Sequence, residues 1–215
     1  MKNFAIIISG CGFLDGAEIT ETVSALIGLD QKGCTYDIFA PNTNTASVNH
    51  ADNSNGPNRN ILEESARITR GKTKVLSDLK PENYDGLVIP GGFGVAKHLS
   101  TWATEGSRCS VNHNIDKIIQ SFHSDSKPIL AICIAPTLIA KSLGNHGITV
   151  TIGNDIETAA EIEKTGAIHE NCKVDDFVTD RLNKLITTPA YMYDSTPGKV
   201  FTGISKAINE FYEMA

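Results

Sequence analysis

Three short apolar runs, each ending at or beside a glycine or a cysteine, restrict what this chain can fold into. The runs are FAIIIS at 4–9, DGLVIP at 85–90 and PILAIC at 128–133. Each is rich in aliphatic side chains and too short for a buried helix, which predicts strands covered on both faces of a parallel sheet. Gly10, Gly91 and Cys133 stand at the carboxyl ends of these strands, where open α/β sheets bind ligands. The sequence therefore predicts that these three positions converge.

Segments with the spacing of amphipathic helices separate the strands. Helices are predicted at 17–32, 60–71, 113–123, 155–165 and 199–213, further strands at 35–40 and 148–152, and a hairpin at 175–189. This alternation predicts the α/β class, as a three-layer α/β/α sandwich around a mostly parallel sheet with a small β-hairpin near the C-terminus. The length of 215 residues fits a single domain over 1–215. The polar stretch 41–60 is predicted to be an irregular, functional loop.

Charge and hydropathy exclude several classes of protein. The formal net charge is −6 and Lys and Arg form no run, so neither nucleic acid nor an anionic membrane surface is expected as a partner. The longest uncharged apolar stretches, 4–14 and 128–140, are shorter than a membrane span, and MKNFAIII at the start is interpreted as a strand rather than a signal peptide. The five cysteines are scattered and form no CxxC pair. This predicts reduced thiols in the cytoplasm, with no disulfide framework, metal site or cofactor.

The order strand, cysteine, helix around Cys133 is the arrangement of a nucleophile elbow. A tight turn exposes the side chain, and the N-terminus of the following helix places positive potential near the sulfur, which predicts a lowered thiol pKa. A buried structural cysteine is an equally ordinary interpretation of this apolar junction. Gly91 and Gly92, in IPGGFG after the preceding strand, let backbone amides approach a ligand or an oxyanion, although paired glycines also occur in plain turns.

Motif order adds a resemblance to a known family. LVIPGGFGVAKHLS followed by PILAICIAPTLIA resembles the DJ-1/PfpI superfamily, in which a cysteine elbow lies on the central sheet. SGCGFLDGAEITETV near the start and TTPAYM near the end are similar to its enhancing-lycopene-biosynthesis, or sigma-cross-reacting, branch of glyoxalase-like isoprenoid biosynthesis proteins. The similarity extends over nearly all of the 215 residues. It implies a flavodoxin-like, class I glutamine amidotransferase-like fold and a homodimer.

The same resemblance implies a set of site residues. Cys133 would be the nucleophile, and the backbone amides of Gly92 and Ile134 would donate to an oxyanion, with Gly91 beside them. Cys11, in the glycine turn SGCGF, is expected to line the same pocket without a catalytic role.

The family also has an acid on its first helix that contacts the cysteine. The resemblance places it at Glu21, with Glu18 second, where a carboxyl group would hold the sulfur and move a proton. Helical periodicity predicts the opposite, because Glu21 falls away from the apolar face formed by Ile19, Val23 and Leu26 and would face water.

One departure from the family pattern concerns histidine. Many members carry a histidine after the strand that follows the elbow helix, where this chain has Gly153 in TVTIGNDIE. A complete Cys–His–acid triad is therefore not visible, which makes glutamine amide transfer or peptide cleavage doubtful. Whether His98 or His169 joins the site is left open by the sequence, as is the choice between pocket rim and core for Tyr191.

The function implied by the resemblance is a slow, glutathione-independent glyoxalase. Its substrate would be a small dicarbonyl, glyoxal or methylglyoxal, converted to the hydroxy acid through Cys133. An alternative is a non-enzymatic redox sensor or stress-protective protein that uses an oxidisable Cys133. A third is a regulatory partner of isoprenoid metabolism, for which the 41–60 loop is the candidate binding surface.

Overall fold

A central seven-stranded sheet organises the chain, which the computed structural model describes over all residues 1–215. The strands are β1 Asn3–Ile7, β2 Thr35–Ala40, β3 Asn44–Val48, β4 Asn55–Asn60, β5 Thr73–Val75, β6 Gly86–Ile89, β7 Ile129–Ile132, β8 Thr149–Val150, β9 Ile168–His169, β10 Val178–Asp180 and β11 Leu185–Thr188. The helices are α1 Ile19–Gln31, α2 Ile61–Ile68, α3 Trp102–Glu105, α4 His113–Ser124, α5 Ala135–Leu143, α6 Ile156–Glu163 and α7 Pro197–Met214. A π-helical turn, Val95–Leu99, precedes α3.

The order of strands in the central sheet is β10-β11-β7-β6-β1-β2-β5. All neighbours pair in parallel except β10 and β11, which form the antiparallel hairpin predicted near the C-terminus. The middle strands β1, β6 and β7 are the three apolar runs of the sequence, and almost every residue in them is buried. Their carboxyl ends therefore lie side by side.

Helices cover both faces of this sheet. One buried cluster joins one face to α1 and α7, and a second joins the opposite face to α4 and α5. The predicted three-layer α/β/α sandwich with a mostly parallel sheet is confirmed. No helix combines the length and apolar character that crossing a membrane requires.

Two predicted segments differ from the structure. The stretch 41–60 is not irregular, since β3 and β4 pair there as an antiparallel ribbon outside the main sheet. The polar sequence gave no sign of these strands, because a ribbon with little burial on either face needs no alternation of apolar residues. The predicted strand 148–152 shortens to β8, which pairs with β9 in a separate two-stranded sheet and not in the central one.

The apolar periodicity of α1 predicted the wrong buried face. Ile19 and Val23 are 47% and 38% exposed, whereas Glu21 is fully buried. The face that packs carries small residues, and a Cβ added at Gly28 would lie 3.1 Å from the side chain of Ile208 on α7. Close helix–helix approach through small residues therefore set the orientation of α1, and its larger apolar side chains were left outside.

Candidate active site

Cys133 occupies a strained turn between β7 and α5. Its φ is +62°, a left-handed conformation that only a few per cent of non-glycine residues adopt, and its amide donates to the carbonyl of Thr188 over 2.9 Å. The residue is 7% exposed and lines a cavity of about 760 Å³. The structure thus places the sulfur at an elbow whose strain is held by the surrounding sheet.

Two backbone amides approach the sulfur from different elements. Gly92 follows β6 and Ile134 is the N-cap residue of α5, and the amides of both hydrogen-bond Cys133. Gly92 has φ +97°, and a Cβ there would lie 2.5 Å from the amide nitrogen of Glu18. A Cβ at Gly91 would press into the Cβ of Cys133 and lie 2.6 Å from Oε2 of Glu21. Gly91 is therefore required by its packing against Cys133 and Glu21, and Gly92 by its positive φ and its close approach to the backbone before α1.

Glu21 lies beneath the cysteine, out of contact with solvent. Its Oε2 accepts from the amide of Gly91 at 3.0 Å, its Oε1 accepts from the amide of Tyr191 at 3.2 Å, and it hydrogen-bonds Cys133. The periodicity prediction of a solvated acid is therefore wrong, and the position implied by the resemblance is the one observed. The partners of the carboxyl group come from three distant parts of the chain, which local periodicity does not record.

Burial controls the ionisation of this pair. Desolvation first, and then the charge of Glu18, raise the pKa of Glu21 from 4.5 to about 8. Desolvation and the charge of Glu21 raise the pKa of Cys133 well above 9.0, against the two amides that favour the thiolate. The predicted lowering of the thiol pKa is thus wrong, because burial beside a carboxylate outweighs the elbow. The two groups titrate together: both are protonated at neutral pH, and the first proton leaves near pH 8.

Glu18 faces the cavity that Glu21 does not reach. Its Oε2 caps α1 by accepting from the amide of Glu21 at 2.7 Å, and its own amide donates to the carbonyl of Gly91 at 3.0 Å. The side chain is half-buried and lines the same cavity as Cys133. The two acids are therefore placed differently: Glu21 hydrogen-bonds the sulfur, and Glu18 is accessible to a ligand in the cavity.

The cavity above Cys133 has a volume of about 760 Å³ and a largely apolar wall. Its lining consists of Phe13, Glu18, Gly92, Phe93, Ala96, Trp102, Ala103, Cys133, Ile134, Thr158, Tyr191, Met192, Tyr193 and Asp194. Such a volume falls in the range of small-molecule sites. Tyr191 lines this cavity and also packs against the core cluster on the α1 and α7 face, so both roles that its sequence context left open apply.

Several residues expected at the site lie elsewhere. Cys11 and Gly10 line a separate cavity of about 10 Å³, so they do not converge with Cys133. His98 hydrogen-bonds the carbonyl of Asp15 at 2.8 Å, and His169 is the acceptor for the amide of Ile152 at 3.3 Å. Neither histidine lines the large cavity.

Tyr193 is a site residue that the sequence did not reveal. Its ring fills the space that a side chain at Gly153 would occupy, since a Cβ there would lie 2.7 Å from Cε2 of Tyr193. Its hydroxyl donates to the carbonyl of Cys172 at 2.7 Å, which fixes the ring. The sequence signal that could have indicated Tyr193 is the glycine at position 153, where many family members carry a histidine. A glycine there leaves room for a ring from another segment. No group of three or more His, Cys, Asp or Glu side chains is arranged to hold a metal ion.

Comparison with known proteins places this chain in a family. Residues 12–190 match the DJ-1/PfpI family. The human glutamine amidotransferase-like class 1 domain-containing protein 3, mitochondrial, is 39% identical over 98% of this chain and 82% of that protein. The crystal structure of an isoprenoid biosynthesis protein with an amidotransferase-like domain from Ehrlichia chaffeensis superposes with a TM-score of 0.93 at 34% identity, covering 100% of this chain and 99% of that one. Drosophila melanogaster DJ-1beta shares the fold, with a TM-score of 0.56 at 19% identity over 100% of this chain and 95% of that one.

Proposed function

The chain belongs to the DJ-1/PfpI family, and on that premise we propose that it is a cysteine-dependent, glutathione-independent enzyme of the glyoxalase type. The reaction would convert glyoxal to glycolate, or methylglyoxal to lactate, with water as the only other reactant. The observation that carries this proposal is the triple contact of the Cys133 sulfur with the Glu21 carboxyl group and the amides of Gly92 and Ile134. These groups supply a nucleophile, a proton and an oxyanion site at one point.

The reaction begins after the Cys133–Glu21 pair has lost one of its two protons. With the remaining proton on Glu21, the sulfur of Cys133 is a thiolate and attacks the aldehyde carbon, so a C–S bond forms and the carbonyl electrons move to oxygen. The amides of Gly92 and Ile134 bind this oxyanion, and Glu21 protonates it to give a hemithioacetal. At pH 7 only about one pair in ten has lost its first proton. Because the pKa of Glu21 lies below that of Cys133, most of those pairs keep the remaining proton on the sulfur, so the thiolate form is a smaller fraction still and the enzyme is slow there.

A carbon-bound proton then has to move between the two former carbonyl carbons. Glu18 is placed to take it, because its carboxylate lines the cavity while Glu21 lies below the sulfur. Removal of the proton gives an enediolate, and its return to the neighbouring carbon gives a thioester of the hydroxy acid. Water cleaves the thioester, the sulfur leaves as thiolate and Glu21 regains its proton. The sum is dicarbonyl plus water giving hydroxy acid.

Conversion of labelled glyoxal tests this proposal. We expect [¹³C]glyoxal to yield [¹³C]glycolate by NMR at pH 8 without glutathione, and added glutathione to leave the enzymatic rate unchanged. Absence of glycolate above the protein-free rate, with Cys133 shown to be reduced by mass spectrometry, would overturn the activity.

A redox-sensing role is the alternative supported by the same geometry. The amides and carboxyl group that hold the sulfur would equally hold the oxygen atoms of a sulfinate, and the cavity gives peroxide access to Cys133. Mild peroxide is then expected to add two oxygen atoms to Cys133 alone, by intact mass and peptide mapping, with no dicarbonyl turnover. Equal oxidation of Cys11 would contradict a specific sensor.

A second copy of this chain is the partner we propose. Ile19, Val23 and Ile27 form an apolar stripe along α1, each more than a third exposed, and α1 also carries the two site acids. Covering this stripe in a homodimer would remove apolar surface from water beside the site. Val23→Glu is expected to yield a monomer by light scattering where the wild type is a dimer; a monomeric wild type would refute the dimer.

The compartment and the pathway are two further proposals. The cytoplasm remains our proposed compartment, argued from the reduced, unpaired cysteines, although the human relative is named as mitochondrial. Microscopy of the tagged chain in its own cells would test it, and exclusive organellar signal would contradict it. A regulatory role in isoprenoid metabolism has the β3–β4 ribbon as its candidate surface; capture of the same partners by a chain lacking the ribbon would count against it.

A further inference from the structure

We propose that the cavity above Cys133 selects a carbonyl compound with an apolar or aromatic body and a positive charge, and rejects anionic ones. The inference rests on the proposed function in taking Cys133 as the reacting atom, and it goes further by naming the substrate class. Its basis is the size of the cavity, the aromatic side chains in its wall and the sign of its charges.

Size argues for a body larger than a two- or three-carbon dicarbonyl. Glyoxal would occupy a small part of a cavity of about 760 Å³, whereas ligand sites of a few hundred cubic ångströms normally enclose most of their ligand. Ten of the fourteen lining residues are hydrophobic, and five carry aromatic rings: Phe13, Phe93, Trp102, Tyr191 and Tyr193. An apolar wall of this extent gains free energy only from a ligand that covers it.

The charges of the wall are of one sign. Glu18 and Asp194 are the charged side chains that line the cavity, and it has no Lys, Arg or His in its lining. A carboxylate or phosphate would enter without a cationic partner and would meet these two acids. A ligand ammonium group would instead meet carboxylates and the faces of aromatic rings, the combination that binds amines in other proteins.

One basic side chain, Lys97, lies beside a ring of the cavity wall without lining the cavity. Lys97 stands 5.4 Å from the ring centroid of Phe93, outside the cavity wall, and its Nζ donates to the carbonyl of Leu14 at 2.7 Å. It shows that a cation is accommodated over one of these rings. Because Lys97 lies outside the lining and its ammonium is directed to the carbonyl of Leu14, it makes no direct ion pair with an anion in the cavity.

Fluorescence of Trp102 provides a direct test, since it is the single tryptophan of the chain and lines the cavity. The probes have one aromatic ring and no carbonyl that the sulfur could attack: benzyltrimethylammonium, neutral 3-phenylpropanol and, as the anion, 3-phenylpropionate. We expect the ammonium to change the Trp102 emission with a Kd at least about tenfold below that of the carboxylate, the neutral probe falling between. Equal or tighter binding of the carboxylate, or no binding of the ammonium, would overturn the inference.

Two matched variants locate the effect. Asp194→Asn removes one charge of the wall and is expected to reduce the preference for the ammonium by about threefold, the modest value of an exposed carboxylate. Asp30→Asn removes the same charge from an exposed position in the groove beside β2 and β5, outside the cavity, and should leave the preference unchanged. An equal effect of both would show long-range charge and overturn the local site.

Turnover separates this inference from the proposed function. The three probes report binding whether or not the protein converts glyoxal, so a preference for the ammonium without any turnover would refute the enzyme and leave the cation site standing. If glyoxal is turned over, phenylglyoxal with a trimethylammonium group on the ring is expected to have a higher kcat/KM than its ring-carboxylate counterpart. The reverse order would overturn the substrate class while leaving the enzyme.

Discussion

Two cysteines follow β-strands of the central sheet, and only one has the surroundings of a nucleophile. Cys133 sits at +62° in φ, touches a buried acid and two amides, and opens on a cavity of about 760 Å³. Cys11, in the glycine turn beyond β1, borders a cavity of about 10 Å³ together with Glu64 and Arg59. Burial is the largest cause of the raised pKa of Cys11, and the charge of Glu64 raises it further.

The difference shows what a strand end contributes and what it does not. Both positions have glycines beside them, and both lie where ligands bind in sheets of this kind. The site needs in addition a helix that starts at the cysteine, a neighbouring loop whose amides face the sulfur, and an acid from α1. The turn after β1 lacks the first of these, because the chain runs on through a loop before α1 begins at Ile19.

The largest effect we expect separates the two thiols by mutation. Cys133→Ala should lower glyoxal turnover by roughly 10³-fold or more, since no other group forms the covalent intermediate. Cys11→Ala should leave turnover within about twofold of wild type, because its cavity holds no more than about one water. Glycolate production measured at pH 8 decides, and comparable losses in both variants would break the distinction.

The next effect concerns the glycines that permit the close packing at Cys133. Gly91→Ala places a methyl group 2.6 Å from Oε2 of Glu21, so the acid or the sulfur must move, and turnover should fall about 100-fold. Gly198→Ala is the matched control, because a Cβ there meets nothing within 4 Å, and it should behave as wild type. Iodoacetamide labelling of Cys133 in both variants reports the same displacement. Retained turnover in Gly91→Ala would show that the packing is looser than described.

Much of the fold, and less of the site, was accessible from sequence. Strands β1, β6 and β7 could be predicted from their continuous apolar runs, which arise because both faces of each strand are covered. Edge strand β5 has three residues, TKV, with no apolar run to mark it. The pairing of β3 with β4 could not be predicted from apolar alternation, because most residues of this ribbon are not buried.

The acid of the site shows where local reasoning stops. Periodicity put Glu21 in water, whereas its burial depends on Gly91, Cys133 and Tyr191, which are distant in sequence and which no helical pattern encodes. The family resemblance identified Glu21 because a family motif includes residues that come together only in the folded site. Neither approach found Tyr193, whose place depends on the side chain missing at Gly153.

The third effect is a pH dependence confined to the Cys133 site. The pKa of Glu21 is raised from 4.5 to about 8, so between these values the folded chain holds a proton that the unfolded chain has released. The free energy of unfolding should therefore fall as pH rises through this window, by about 1.4 kcal/mol per pH unit from this group. Glu21→Gln cannot release a proton and should lack this contribution. Urea titrations at pH 5.5, 6.5 and 7.5 measure the difference.

The control for this titration comes from the other cysteine. Cys11→Ala leaves Glu21 and its partners intact, so its unfolding free energy should keep the wild-type slope. Parallel curves for wild type and Glu21→Gln would mean that the acid is ionised in the folded chain, and the proposed proton donor would be lost.

The smallest effect we expect lies in the small cavity beside Cys11. The hydroxyl of Ser9 is fully buried there and finds no hydrogen-bond partner among the protein atoms. A buried donor without a partner costs free energy, so Ser9→Ala should stabilise the chain by up to about 1 kcal/mol in urea unfolding. Turnover of glyoxal should not change, because Ser9 does not line the cavity of Cys133. Destabilisation would mean that the small cavity binds a polar molecule through Ser9, and Cys11 would then border a site of its own.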